Sequence, residues 1–541
     1  MSTERHSITP RAALIALAGA LTALGGCDDR SEVWDASLPQ PNAFGLQGAV
    51  ALIDAPAERL LLMDVTGDLE LQPAAHFIGP GFATAKTTPD GHRLLVLSRG
   101  VVPRRTAEDD PPSLALFQGI VGNEPGPTVR YQLTDPLSGL AVDPESRYAV
   151  IYPSAADTSA FLQNPNELAI VDLNLPQSAA NPHAMTLRSF GGRPQGFTFT
   201  PNLLVPGGAR RLLVVQTDRD VGLIDLDHLD LPEITVRLTG GPEALVPGGV
   251  AVSDGAPERN DDARIAIRVQ NDPNVVLVDL LPVPPAEADE TPQSFRALPN
   301  VVFVGGVPSD ISFVQTDGGL RLAALVPSRG VLTLVDPMTG IAGEVALGAP
   351  FERMSLITSI VGSTAEGSDV ALLWSSFSPD VAFVALGSTV GKPYKAVERL
   401  ALEQPVGFVQ DVPEPNEHLK ILTSTNGQNL LVLDLLARTA APIQSASPGT
   451  IVSPAPDGTR AWIHASGSWL AQLDLTSLHP RNIALNHSVH SVFDVARADG
   501  AGRALVAIHP LGGTAATVLD AHDPSLTTAR EYVGLLLGEL P

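Results

Sequence analysis

Short apolar runs punctuate the chain, and most of them stop at an aspartate. LLLMD ends at Asp64, LAIVD at Asp172, GLID at Asp225, VVLVD at Asp279, LTLVD at Asp336, LLVLD at Asp434, LAQLD at Asp474 and ATVLD at Asp520. Two intervals are double length and are filled by LALFQ, ending at Gln118, and VAFVA, ending at Ala385. Successive endpoints then stand 54, 54, 53, 54, 57, 49, 49, 40 and 46 residues apart. Short runs of Val, Leu and Ile bounded by turn formers read as strands rather than helices. Ten such units at a period near fifty residues mark a repeat architecture.

Inside a unit the same order of segments returns. In the sixth, DISFVQTDGG (310–319) is a strand and turn, LRLAALVPS (320–328) a second strand, VLTLVD (331–336) a third and GEVALG (343–348) a fourth. The ninth runs TIVSPAPDG, RAWIHAS, WLAQLD, RNIALN. The first turn carries Asp-Gly or a relative in TPDG (88–91), DPESR (143–147), APDG (455–458) and ADGAG (498–502). Four short strands per unit predict an all-β fold, a β-propeller of about eight to ten four-stranded blades in a single ring, with a pair of smaller rings as the alternative. The aspartate that ends a third strand can accept hydrogen bonds from N–H groups two residues on, which is turn chemistry. A catalytic acid would not recur eight times around a ring. Asp64, Asp172, Asp225, Asp279, Asp336, Asp434, Asp474 and Asp520 are expected to be structural turn residues.

The stretch RGVLTLVDPMTGIAGEVALG (329–348) resembles the repeat of the YVTN-type β-propellers, in which a short strand, an Ile/Val-Asp turn and a closing strand follow one another. The resemblance spans nearly all of residues 47–541 and implies a propeller domain there; the family's common ring has seven blades, fewer than the ten units counted. The first unit begins at AVALIDA with no strand before it. The C-terminal REYVGLLLG (530–538) is therefore expected to supply the missing strand, since an open ring would leave a sheet edge exposed.

Residues 1–26 have a short basic region with Arg5 and Arg11, then an apolar stretch from Ala12 to Leu24. That stretch is short for a membrane span and reads as a secretory signal. LGGC at 24–27 resembles the bacterial lipobox, which implies that Cys27 is lipidated and becomes the mature N-terminus. Asp28 resembles the inner-membrane retention signal of enteric bacteria, a rule too local to decide which membrane. Residues 27–46 are then a lipidated flexible tether; its polar, proline-bearing part (28–44) reaches at most about 50–60 Å at ~3.3 Å per residue. The expected place is the bacterial cell envelope, lipid-anchored and facing the periplasm or the surface.

Composition sharpens the picture of partners. The 48 glycines and 48 prolines favour turns over long helices. The formal charge is −25, and it becomes −26 without residues 1–26, which carry Arg5, Arg11 and Glu4. So acidic a surface repels phosphate backbones and excludes nucleic acid as a partner. Cys27 is the only cysteine, which rules out internal disulfides, Cys-Cys metal sites and covalently attached haem.

Two patterns carry candidate chemistry. Arg99, Arg219, Arg268 and Arg329 fall in or beside the loops that follow second strands, with long loops at 100–112 and 153–166. In a propeller such loops open on one face, so these arginines could converge into a site for an acidic ligand or partner; alternatively each pairs with a nearby carboxylate. His464 and His509 hold similar positions in adjacent units, and His487 and His490 stand three apart. They could share a divalent metal, against the alternative of singly bonded or solvated histidines. The acidic loop clusters AEDD (107–110) and ERNDDAR (258–264) read as solvated charge, with calcium as the alternative. No nucleophile elbow, phosphate loop or zinc-protease motif is present. The expectation is a membrane-tethered scaffold without cofactor that binds an envelope protein or a small acidic ligand. The alternative is an enzyme resembling the propeller lactonases or quinone-cofactor dehydrogenases.

Overall fold

The computed structural model describes residues 42–536 apart from 66–73, 122–123, 155–161, 163, 189–191, 206–207, 240–244, 254, 256–262, 284–294, 358–369, 389–393, 428, 445–450, 466, 498–499, 501 and 512–513. Among the described residues stand ten four-stranded antiparallel sheets. In chain order these blades span 42–77, 82–132, 139–186, 194–237, 247–303, 310–346, 353–401, 406–443, 451–484 and 491–533. Each apolar run of the repeat is the third strand of one blade. That includes Ser113–Gln118 and Asp380–Ala385, which lack the aspartate. The protein is a single-ring propeller with ten blades, the upper end of the range read from the repeat.

Second and third strands are predominantly apolar, because both of their faces are covered. In Val331–Val335 all five residues are buried, as are the last five of Arg93–Ser98. Successive side chains point to opposite faces, and here a neighbouring blade covers each face. The buried residues accordingly fall into ten clusters, each drawn from two adjacent blades. Leu212, Val214 and Val221 of blade 4 pack on Ile265, Ile267 and Val276 of blade 5. Each such side chain, fully buried, is worth about 1.5–3 kcal/mol. The tenth cluster joins Val495, Ala504 and Val506 of blade 10 to Val50, Leu52 and Met63 of blade 1, and it closes the ring. First strands of neighbouring blades touch one another, Asn42–Leu46 against both Phe82–Thr87 and Ser491–Ala496, so the first strand lies next to the axis and the fourth at the rim.

Closure differs from the strand exchange expected from sequence. Residues 42–46, assigned above to the tether, are blade 1's own first strand, paired from Asn42↔Ile53 to Leu46↔Ala49. Arg530–Val533 pairs with Ala515–Asp520 as the fourth strand of blade 10. The reason lies at Gln47-Gly48, a two-residue hairpin connection in which Gly48 takes φ 74°, a conformation glycine adopts without penalty. A local hairpin fills the edge before the distant C-terminus could. The same turn ties blade 1 to both neighbours: Gly48 N donates to Ala496 O of blade 10 at 2.8 Å, while Gln47 N donates to Gly91 O and Ile120 N to Gln47 O, across to blade 2, each at 3.0 Å.

Candidate functional site

Antiparallel alternation gives the ring two unlike faces. Turns after first and third strands lie on one, the turn face. Loops after second strands, together with the connections from blade to blade, lie on the other, the loop face.

The repeated aspartates belong to the turn face. Asp336 Oδ1 accepts from Met338 N at 2.9 Å and Thr339 N at 3.2 Å. Asp434 accepts from Leu436 and Ala437, Asp474 from Thr476 and Ser477, and Asp520 from His522 and Asp523. Asp172 and Asp225 each accept one such bond, from Asn174 and Asp227. Asp279 instead pairs with Arg264 at 2.7 Å, and Asp64 closes its strand Arg59–Asp64 in the same position. At Asp336 burial pulls the carboxyl pKa up, but the two N–H bonds and the Arg321 charge outweigh it and hold the group below the usual range.

The loop face carries the arginines, and it treats them differently. Arg329 forms a two-pronged pair with Glu344 of its own blade, at 2.5 and 3.1 Å, which removes it from a shared site. Arg219 is exposed on a tight loop in which Thr217 Oγ1 accepts from the N–H of both Arg219 and Asp220. Arg268 turns inward. Its guanidinium lies against Gly248 and donates to the carbonyls of Gly248 and Pro308. A Cβ at Gly248 would stand 3.0 Å from three guanidinium atoms, so the arginine uses the space a side chain would fill.

Arg268 has a neighbour that the sequence reading passed over. Arg353 opens the first strand of blade 7, Arg353–Ile357, next to the axis, and its guanidinium makes no hydrogen bond or ion pair with any described residue. Burial and the Arg353 charge lower the pKa of Arg268. Both arginines act on the charge of Asp310, whose oxygens accept from Ile311 N and Met354 N, each at 3.0 Å. Burial outweighs those bonds and both arginines, and it pushes the Asp310 carboxyl up.

Four innermost strands carry a register irregularity at their loop-face ends: Phe82/Thr84, Pro194/Gly196, Pro247/Gly249 and Val406/Phe408. An extra residue there re-aims the following side chain. In blade 8 it leaves Phe408 72% exposed on an innermost strand.

Arg99 begins the long loop of blade 2, its N–H donating to Gly81 O at 2.8 Å. With Arg104, Arg105, Thr134 and Asp135 it lines a cavity of about 480 Å³. Pro103, Pro112 and Pro136 stiffen the walls. The Arg105 guanidinium has no partner among the described residues, while its N–H and that of Thr106 are taken by Asp109 at 2.7 and 2.8 Å. Asp109 of the AEDD cluster thus caps a turn. Most of the second acidic cluster, 258–262, lies outside the described residues.

The four histidines also reach the loop face, at blades 9 and 10, and stand in two pairs. The rings of His487 and His509 are 5.6 Å apart. His464, 2% exposed, lies close enough to His490 for that charge, with burial as the larger cause, to depress its pKa to about 4. They do not make a ligand set: among the described residues no group of three or more His, Cys, Asp or Glu is placed to hold a metal ion. His509 has both ring nitrogens engaged, with Ser488 O at 2.9 Å and Thr517 Oγ1 at 2.7 Å. Cys27 lies outside the described residues, and no described helix is long and apolar enough to cross a membrane.

No family model and no curated protein matches the chain. Solved structures do resemble it. The dihydro-heme d1 dehydrogenase NirN, in complex with DHE, is 12% identical over 83% of this chain and 76% of its own, at a TM-score of 0.38. The Dos1 propeller is 15% identical over 70% and 91%, at 0.40. AztD of Citrobacter koseri is 11% identical over 81% and 94%, at 0.38.

Proposed function

We propose that this protein is a lipid-anchored binding scaffold of the bacterial cell envelope, a degenerate YVTN-type propeller whose loop face takes up a small acidic ligand. The observation that carries this reading is the cavity lined by Arg99, Arg104 and Arg105. Guanidinium forks match carboxylates two bonds at a time, and a rigid ring holds the loops that present them. A volume of about 480 Å³ falls in the range of small-molecule sites. In a chain of charge −25, the cavity lining carries three arginines against one carboxylate, Asp135.

Citrate is a suitable probe. Its binding, followed by calorimetry, should weaken as salt rises and should be lost in the double variant Arg104→Ala, Arg105→Ala with little change in melting temperature. Salt-independent binding, or full binding by the double variant, would overturn the assignment. The anchor has its own test: Cys27→Ser should move the protein from the membrane to the soluble fraction, and unchanged fractionation would remove the lipoprotein from the proposal.

A further inference from the structure

A second cavity, of about 540 Å³, opens on the turn face at the seam where blade 10 meets blade 1. Four blades build it: the first strands of blades 1, 9 and 10, and the turn Pro89–His92 of blade 2. Its walls are largely apolar for local reasons. Gly45 has no side chain where Phe493 lies, and a Cβ there would stand 3.1 Å from the Phe493 ring. Pro89, Pro454 and Pro456 contribute rings without N–H donors.

The charges around this cavity are unequal in availability. Asp494 is spent within the wall: Oδ1 accepts from Arg503 Nε at 2.5 Å and Oδ2 from the Trp462 indole N–H at 2.9 Å. That pair is balanced. Asp90, exposed at the rim, is not. Its Oδ1 accepts from the Thr88 hydroxyl at 2.5 Å and His92 N at 3.0 Å, but Oδ2 has only a 3.9 Å ion pair with Arg93. Burial pulls the Asp90 pKa up, yet the bonds from Thr88 and His92 and the Arg93 charge outweigh it and keep the carboxylate ionised at neutral pH. An apolar chamber with one accessible carboxylate among the described residues at its mouth, in a protein this acidic, repels anions and favours a cation with an apolar body.

We propose that the seam cavity binds hydrophobic ammonium compounds, the apolar body against Phe493 and the prolines and the ammonium on Asp90 Oδ2. This site is separate in place and in charge from the arginine cavity of the loop face.

Three probes that share a naphthalene body test it on the full-length protein by titration calorimetry: 2-naphthylmethylamine, 2-naphthylmethanol and 2-naphthoate. The amine is expected to bind at least tenfold more tightly than the alcohol, with the acid weakest. Asp90→Asn, on an exposed turn, should abolish the amine's advantage and leave the alcohol unchanged. Gly45→Leu should block all three by filling the chamber, and the Arg104→Ala, Arg105→Ala variant should change none of them. The proposal is overturned if the acid binds as well as the amine, if none of the three binds, or if Asp90→Asn leaves the amine's affinity intact. The Asp90 variant decides the matter even if the Gly45 variant fails to fold.

Discussion

Arg59 and Leu536 stand 477 residues apart and are joined by a hydrogen bond from the Arg59 guanidinium to the Leu536 carbonyl. Arg59 is itself held by buried Asp54, Nε to Oδ2 at 3.0 Å. The first blade therefore grips the chain just beyond the last strand. Trimming residues 531–541 would remove that acceptor and most of the last strand, and would bare Ala515–Asp520 as an open edge. The expected result is a lower melting temperature and concentration-dependent aggregation, read by calorimetry and light scattering. A trimmed chain that melts and stays monomeric like the full one would show that the seam does not rely on this segment.

Gly248→Ala places a methyl 3.0 Å from the Arg268 guanidinium, so the arginine must give way by a few tenths of an ångström. Its φ is not in the left-handed region, so the backbone tolerates the change. Stability should fall by less than about 1.5 kcal/mol, the scale of one hydrogen bond. A crystal structure of the variant should show Arg268 displaced from the Gly248 and Pro308 carbonyls; an unmoved Arg268 would mean that the close approach is not what fixes it.

Asp336→Ala should cost about 1 kcal/mol in urea unfolding, the net worth of its bonds to two exposed turn N–H groups. Citrate binding on the opposite face should be unaffected. Loss of binding at unchanged stability would give this aspartate a role beyond the turn.

His464 should make the fold acid-sensitive. Its pKa is about 4 in the folded ring against 6.5 for an ordinary histidine. Above 6.5 the ring is neutral in both states and costs nothing. As pH falls from 6.5 towards 4, the unfolded chain takes up a proton that the folded one resists, so stability falls and then levels off below 4 after a loss of up to about 3 kcal/mol. His464→Gln should narrow the difference in unfolding free energy between pH 7 and pH 4.5. An identical difference in the variant would assign the acid sensitivity to other groups.

Most of the ring was legible because burial on both faces forces second and third strands into predominantly apolar runs, and ten of these at one period leave little choice of fold. The missing first strand was not legible. Asn42–Leu46 lies beside the axis, partly exposed, and therefore carries no such run. The same cause hid Arg353, which opens an equally half-buried innermost strand. Arg268 and Arg329 looked alike in sequence, each close to the loop after a second strand. Both guanidinium groups lie against a glycine, Gly248 and Gly305; what separates them is a carboxylate two strands on, Glu344, within reach of Arg329. Partner choice across strands is set by register, which hydrophobic period does not encode.

The seam also bears on the order of assembly. Every blade is drawn from one continuous stretch of the chain, so nine of the ten interfaces need only two adjacent units to be present. These contacts are near in sequence and can form as each unit becomes available. The contact of blade 10 with blade 1 cannot: Val50 waits for Val506, and Arg59 for Leu536. Until the last unit is made, the growing molecule is an arc with two bare sheet faces at its ends. A cell that makes this protein has to keep those two faces from finding other chains before they find each other.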